Sequence, residues 1–197
     1  MAVVAGCGPP AHTCLGVIHD PLAAALALWL DHRLPQSAGA ADDDARLFGL
    51  TVLDGDEVLA SAAESPRVDG AVRFVAVAEG EPYQLAGDVA PLAIVHYEAL
   101  ALVTHGWAAP LGGAGGAASG TTPSEHPDRR RVRVTTVAID SGALGAVVRH
   151  TAPAGVRCDE PPLRPGPVTG PLAELFGRSC TIRSRPIIGR WDRPPAA

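Results

Sequence analysis

Cys7, His12, Cys14 and His19 place four side chains of metal-binding type close together near the start of the chain. Structural zinc sites pair a Cys with a Cys, or a His with a His, across about two to five intervening residues, because one tight turn must aim both at the same ion. The spacing here supplies no such pair, and Pro9 and Pro10 interrupt it. No metal site is therefore expected. In a reducing compartment Cys7, Cys14, Cys158 and Cys180 read as thiols. His96-Tyr97-Glu98 carries the His-x-Glu half of a zinc deaminase, but the Pro-Cys-x-x-Cys half that would hold the metal is missing. His19-Asp20 carries the doublet of metal-dependent phosphohydrolases, yet Asp20 directly precedes Pro21 and is better used as a helix cap.

Other chemistries are excluded outright. All 16 basic residues are arginine. Without lysine there is no P-loop phosphate ligand, no kinase strand lysine and no amine for Schiff-base or pyridoxal chemistry. The sequence also lacks a Gly-x-Ser-x-Gly elbow, a His-Glu-x-x-His helix and a Gly-x-Gly-x-x-Gly turn. The absence of lysine and asparagine together points to a gene of very GC-rich composition. No cofactor is implied.

The remaining candidates form a polar and aromatic group. His105 and Trp107, with Thr104 and Gly106, end an apolar run, and Arg129 to Arg133 holds four arginines in a chain of net charge −5. Period-two alternation puts Arg131, Arg133, Thr135 and Val137 on one face of a strand and Val132, Val134, Thr136 and Ala138 on the other. His105, Trp107, Arg131 and Arg133 are thus the candidate ligand-binding residues, for a small anion or a peptide. The plainer expectation is a half-exposed strand whose arginine stems lie over the sheet. On that view Arg131 and Arg133 make no buried pair, and exchange for Gln or Thr costs within about 0.5 kcal/mol. Charge is unevenly spread: residues 1–98 hold 4 of the 16 arginines and 14 of the 21 acids. A basic second half attracts phosphates, but it has few rings for base stacking, and an acidic loop at Asp42, Asp43 and Asp44 can neutralise it equally well.

These residues need elements to hold them. Asp20 and Pro21 open a helix that Pro35 stops, with Leu22, Leu26, Trp29 and Leu30 on an inward face. Strand-like segments flank Asp54-Gly55, a hairpin signal, and residues 71–83 supply another strand with Arg73 and Glu79 near its ends. Residues 89–108 are ambiguous and are split into a short helix near Leu92 to His96 and a strand from Glu98 to Ala108. Residues 111–128 form a flexible loop. The stretches around the turn Asp140-Ser141-Gly142 make the clearest hairpin, and Pro171 opens a short amphipathic helix with Leu172, Leu175 and Phe176 inward. The fold class is α+β: a mostly antiparallel sheet with two or three packed helices. Residues 1–178 make a single domain and 179–197 an extended or disordered tail.

The segments Tyr97 to Pro110 and His126 to His150 resemble uncharacterised proteins of GC-rich bacteria, a likeness that brings no activity with it. It implies that the two segments are neighbours in one sheet. The Val-Ala-Gly before Cys7 imitates a lipoprotein cleavage box without the basic and apolar regions that precede one, and no apolar run approaches the roughly 18 residues of a membrane span. The expected function is a non-enzymatic cytoplasmic interaction or regulatory protein, with another protein as partner and no membrane. The first alternative is a nucleic-acid-associated accessory protein using the Arg-rich hairpin. The second is a small metal-dependent hydrolase built around His19, His96 or His105. Whether the chain is an enzyme is left open.

Overall fold

The computed structural model describes residues 20–34, 44–53, 56, 58, 70–109, 122–151, 163–166 and 170–181. Helix α1 spans Pro21–Arg33. It begins where the sequence says it should, because the Asp20 carboxylate accepts from the Leu22 and Ala23 amides at 2.8 and 3.0 Å. Those amides have no partner within the helix, so the cap fixes its start. Strands β1 (Ala45–Val52), β2 (Val72–Gly80), β3 (Ala99–Ala108), β4 (Arg130–Ile139), β5 (Leu144–His150) and β6 (Leu163–Gly166) form one sheet in the order β2-β1-β3-β4-β5-β6. Every neighbouring pair is antiparallel. The helical stretch α2 (82–96) joins β2 to β3, and α3 spans Pro171–Cys180. The chain is an α+β protein, with helices on both faces of an antiparallel sheet.

Alternation along the strands divides the core into two layers. Ala99, Ala101 and Val103 of β3 join Phe48, Leu50, Val137 and Val147 beneath α1. Leu100 and Leu102 point the other way, with Leu47, Ala138 and Leu144, against Leu85, Ile94 and Phe176 of α2 and α3. Burial on both faces explains the continuous apolar run of β3, which strict alternation would have broken. Each fully buried leucine, such as Leu26 or Leu30 of α1, contributes about 1.5–3 kcal/mol.

Helix α2 is irregular for a local reason. Pro91 lacks an amide, and its ring would strike a carbonyl one turn back in a regular helix. The turn before it, Leu85–Val89, is a wider π-turn in which the Ala90 amide donates to the Leu85 carbonyl. A short 3-10 turn, Ile94–His96, then ends the helix before β3. The expected split of residues 89–108 into helix and strand is what the chain adopts.

Several expectations are corrected. β1 pairs with β2 and β3, and Asp56 and Val58 are helical, with Val58 buried against the α1 layer, so no second strand runs straight on from Asp54-Gly55. Those two turn residues themselves lie outside the described residues. Of the expected loop 111–128, residues 111–121 lie outside the described residues, while Thr122 to Asp128 is a built turn, in which Glu125 accepts from the Thr122 amide and hydroxyl at 3.2 and 2.9 Å. His126 is buried there, its Nδ1 accepting from the Asp128 amide at 3.1 Å. Ser179 and Cys180 continue α3 rather than opening a tail. Burial pushes the Cys180 thiol up to about 12, so it is inert at neutral pH. Residues 182–197 and the cluster Cys7, His12, Cys14 and His19 lie outside the described residues.

Helix α1 sits very close to β5. The Asp20 amide donates to the Leu144 carbonyl at 3.0 Å, and a side chain at Gly145 would enter the backbone of Ala23 and Ala24. Backbone cannot yield as a flexible side chain can. Gly145→Val should therefore lift α1 from the sheet and destabilise the protein by about 3 kcal/mol or more, measured by urea unfolding.

Candidate functional site

The candidate residues meet on the α1 side of β3 and β4. The β3–β4 register sets His105 opposite Arg133 and Trp107 opposite Arg131, so all four share one face, as alternation requires. They do not form one site. Arg131 is half-buried, its guanidinium 5.3 Å from the centre of the Trp107 ring. Arg129 approaches the same ring at 5.0 Å. Trp107 is 40% exposed, so the two guanidiniums cover only part of it. A cation over an indole face is attracted to the ring quadrupole, and here it also holds two flexible arginines beside an exposed aromatic.

Arg133 belongs to a different structure. It is 4% exposed, and the β4–β5 register sets it directly opposite Arg149, which is 3% exposed. Two guanidiniums facing each other across adjacent strands repel. Asp31, fully buried near the end of α1, lies between them. Its Oδ1 accepts from Arg133 Nε and Nη2 at 2.9 and 2.7 Å, and its Oδ2 accepts from Arg149 Nε at 2.6 Å. The Thr135 hydroxyl reaches the same Oδ1 at 3.5 Å. Arg133 Nη2 also takes the Asp31 carbonyl at 2.9 Å, satisfying one of the carbonyls that a helix end leaves without an amide. A carboxylate in the last turn of a helix opposes the helix dipole. Here two buried cations outweigh that effect.

The expectation that Arg133 lies on a wet face without a buried pair is therefore overturned. Sequence reasoning gave Asp31 no role at all. A signal was present: Ala24, Ala27 and Asp31 fall on one stripe at spacings of three and four. A stripe of small residues lets a helix approach a sheet closely, and an acid at its end then reaches the strand below. Arg149, inside an apolar strand, was the second signal.

The other candidates are spread out. His96 ends α2 at the surface, and His19 lies outside the described residues. Among the described residues no group of three His, Cys, Asp or Glu side chains is placed to hold a metal ion. His32, next to Asp31, has its pKa held below the usual 6.5, first by burial and then by the charge of Arg149. No helix among the described residues is long and apolar enough to cross a membrane.

No protein-family model, curated protein or solved structure matches the chain. Its function must be read from its own geometry.

Two outcomes follow from the ion cluster. Arg133→Gln leaves Arg149 and Asp31 buried with incomplete pairing and should cost about 3–5 kcal/mol in urea unfolding, whereas Arg131→Gln should stay within about 0.5 kcal/mol. His32 should titrate below pH 6.5 by NMR. Its folded form resists protonation, so its contribution to stability is complete above that pH and is lost as pH falls from there through the lowered pKa. His32→Gln should remove that part of the acid sensitivity.

Proposed function

We propose that the chain is a non-enzymatic protein that docks another protein through the rim formed by Trp107, Arg129 and Arg131. The observation that carries this reading is the division of the arginines. Arg133 and Arg149 are consumed in holding α1, while Arg129 and Arg131 flank an aromatic that is 40% exposed. Trp and Arg are the residues that most often dominate the energy of protein interfaces, because each couples a large flat surface with polar reach. The two guanidiniums at the ring favour a partner that presents carboxylates.

A nucleic-acid partner is the second reading, supported by the same arginines at the Trp107 ring. Burial of Arg133 and Arg149 removes two of the cations that it would have used. Binding to phosphates through so few charges would be weak, with a shallow salt dependence.

The two separate in one experiment. Protein fixed on a support is exposed to untreated and to nuclease-treated extract of its own host cells, wild type beside Trp107→Ala. A protein retained by the wild type and lost from the variant is expected. A species that binds only when nucleic acid is intact, or retention unaffected by Trp107→Ala, would overturn the proposal.

A further inference from the structure

The opposite face of the sheet holds a groove that the docking rim does not use. It has a volume of roughly 230 Å³ and opens between the outer ends of β3 and β4 and the start of α3. Leu102, Val134, Pro171, Leu172 and Phe176 give it apolar walls. Cavities of about 150 Å³ admit a benzene ring, so the groove suits a body of comparable or slightly larger size.

Its polar groups converge from two elements. The first is the N-terminus of α3. Gly170 occupies the cap position and has no side chain to cap with, and Pro171 has no amide. The Glu174 amide is taken by the Gly170 carbonyl at 3.0 Å. The Leu172 and Ala173 amides are left without a partner among the described residues, and both residues line the groove. Such amides, at the positive end of a helix, accept an anionic oxygen. Glu174, the acid of that turn, is exposed and forms no part of the wall.

The second element is β4. Thr136 lines the groove and is only 7% exposed, yet its hydroxyl has no hydrogen-bond partner among the described residues. The hydroxyl is not sealed inside the core but opens to the groove that Thr136 lines. Its strand neighbour Thr135, on the other face, is instead taken up by Asp31. Thr104 adds a second hydroxyl from β3, and Tyr83 stands half-exposed at the mouth.

We propose that this groove binds a small monocarboxylate with a short apolar body, its carboxylate held by the Leu172 and Ala173 amides and the Thr136 hydroxyl. The apolar walls disfavour a fully hydrated ion such as inorganic phosphate. The absence of a cationic side chain from the walls suits a single negative charge rather than two.

The test uses hexanoate, with 1-hexanol as its uncharged counterpart, followed by NMR on the full chain. Hexanoate should shift the amide signals of Leu172, Ala173 and Thr136 saturably at submillimolar to millimolar concentration, and hexanol should bind about tenfold more weakly. Thr136→Val keeps the side-chain shape and removes the hydroxyl, so it should weaken hexanoate about tenfold while leaving hexanol unchanged. Thr104→Val serves as the second variant should Thr136→Val not fold, with a smaller loss of the same selectivity expected. No saturable shift up to about 10 mM, equal binding of the two probes, or hexanoate binding untouched by the hydroxyl substitution would overturn the proposal.

Discussion

A single buried carboxylate ties the two halves of this protein together. Asp31 comes from α1, in the acidic part of the chain, and it lies between Arg133 and Arg149, which sit opposite each other on β4 and β5. Without it the arginines would repel one another in a place that water does not reach. With it, three charged groups become a fixed contact between helix and sheet. The close approach of α1 depends on the same arrangement, since Gly145 and the small residues of α1 allow the helix to come near enough for Asp31 to reach. Ions of this kind are often no more stabilising than apolar side chains of equal volume, because desolvation offsets attraction. Their effect is on where α1 can sit. One register of helix over sheet satisfies all three groups, and a slip strands a charge.

Much of the architecture was legible before any coordinates. The Asp20-Pro21 start of α1, the turn at Asp140-Ser141-Gly142 and the break before β3 all rest on local rules of capping, turn chemistry and proline, and the chain obeys them. What local rules could not reach was pairing across the fold. Asp31 and Arg133 are far apart in sequence, and either side chain alone reads as surface. The uneven charge distribution was visible as a number, but its explanation as an attraction to an outside partner was incomplete. Part of it is internal, in the cluster where Asp31 of the first half meets Arg133 and Arg149 of the second.

The candidate site was legible in a similar measure. Alternation placed Arg131 and Arg133 on one face and the likeness of the two segments set their strand beside His105 and Trp107, while the register that puts all four on one face comes from the structure. Their division into a buried anchor and an exposed rim depends on where α1 ends, which no periodicity in β3 or β4 encodes. The groove on the other face escaped altogether. Thr136 was read only as one of a row of residues opposite the arginines, and Pro171 only as the first residue of a helix. Their meeting needs the chain to return from β5 across the sheet, a long-range event.

The central claim is that Arg133 is held by Asp31 and is not available to a ligand. A double-mutant cycle measures it most directly: urea unfolding of the wild type, Asp31→Asn, Arg133→Gln and the double variant. The account predicts strong non-additivity, with a coupling of about 2–3 kcal/mol, because each single change already breaks the same buried contact. Single changes that cost less than about 0.5 kcal/mol each and simply add would contradict it and return Arg133 to the surface.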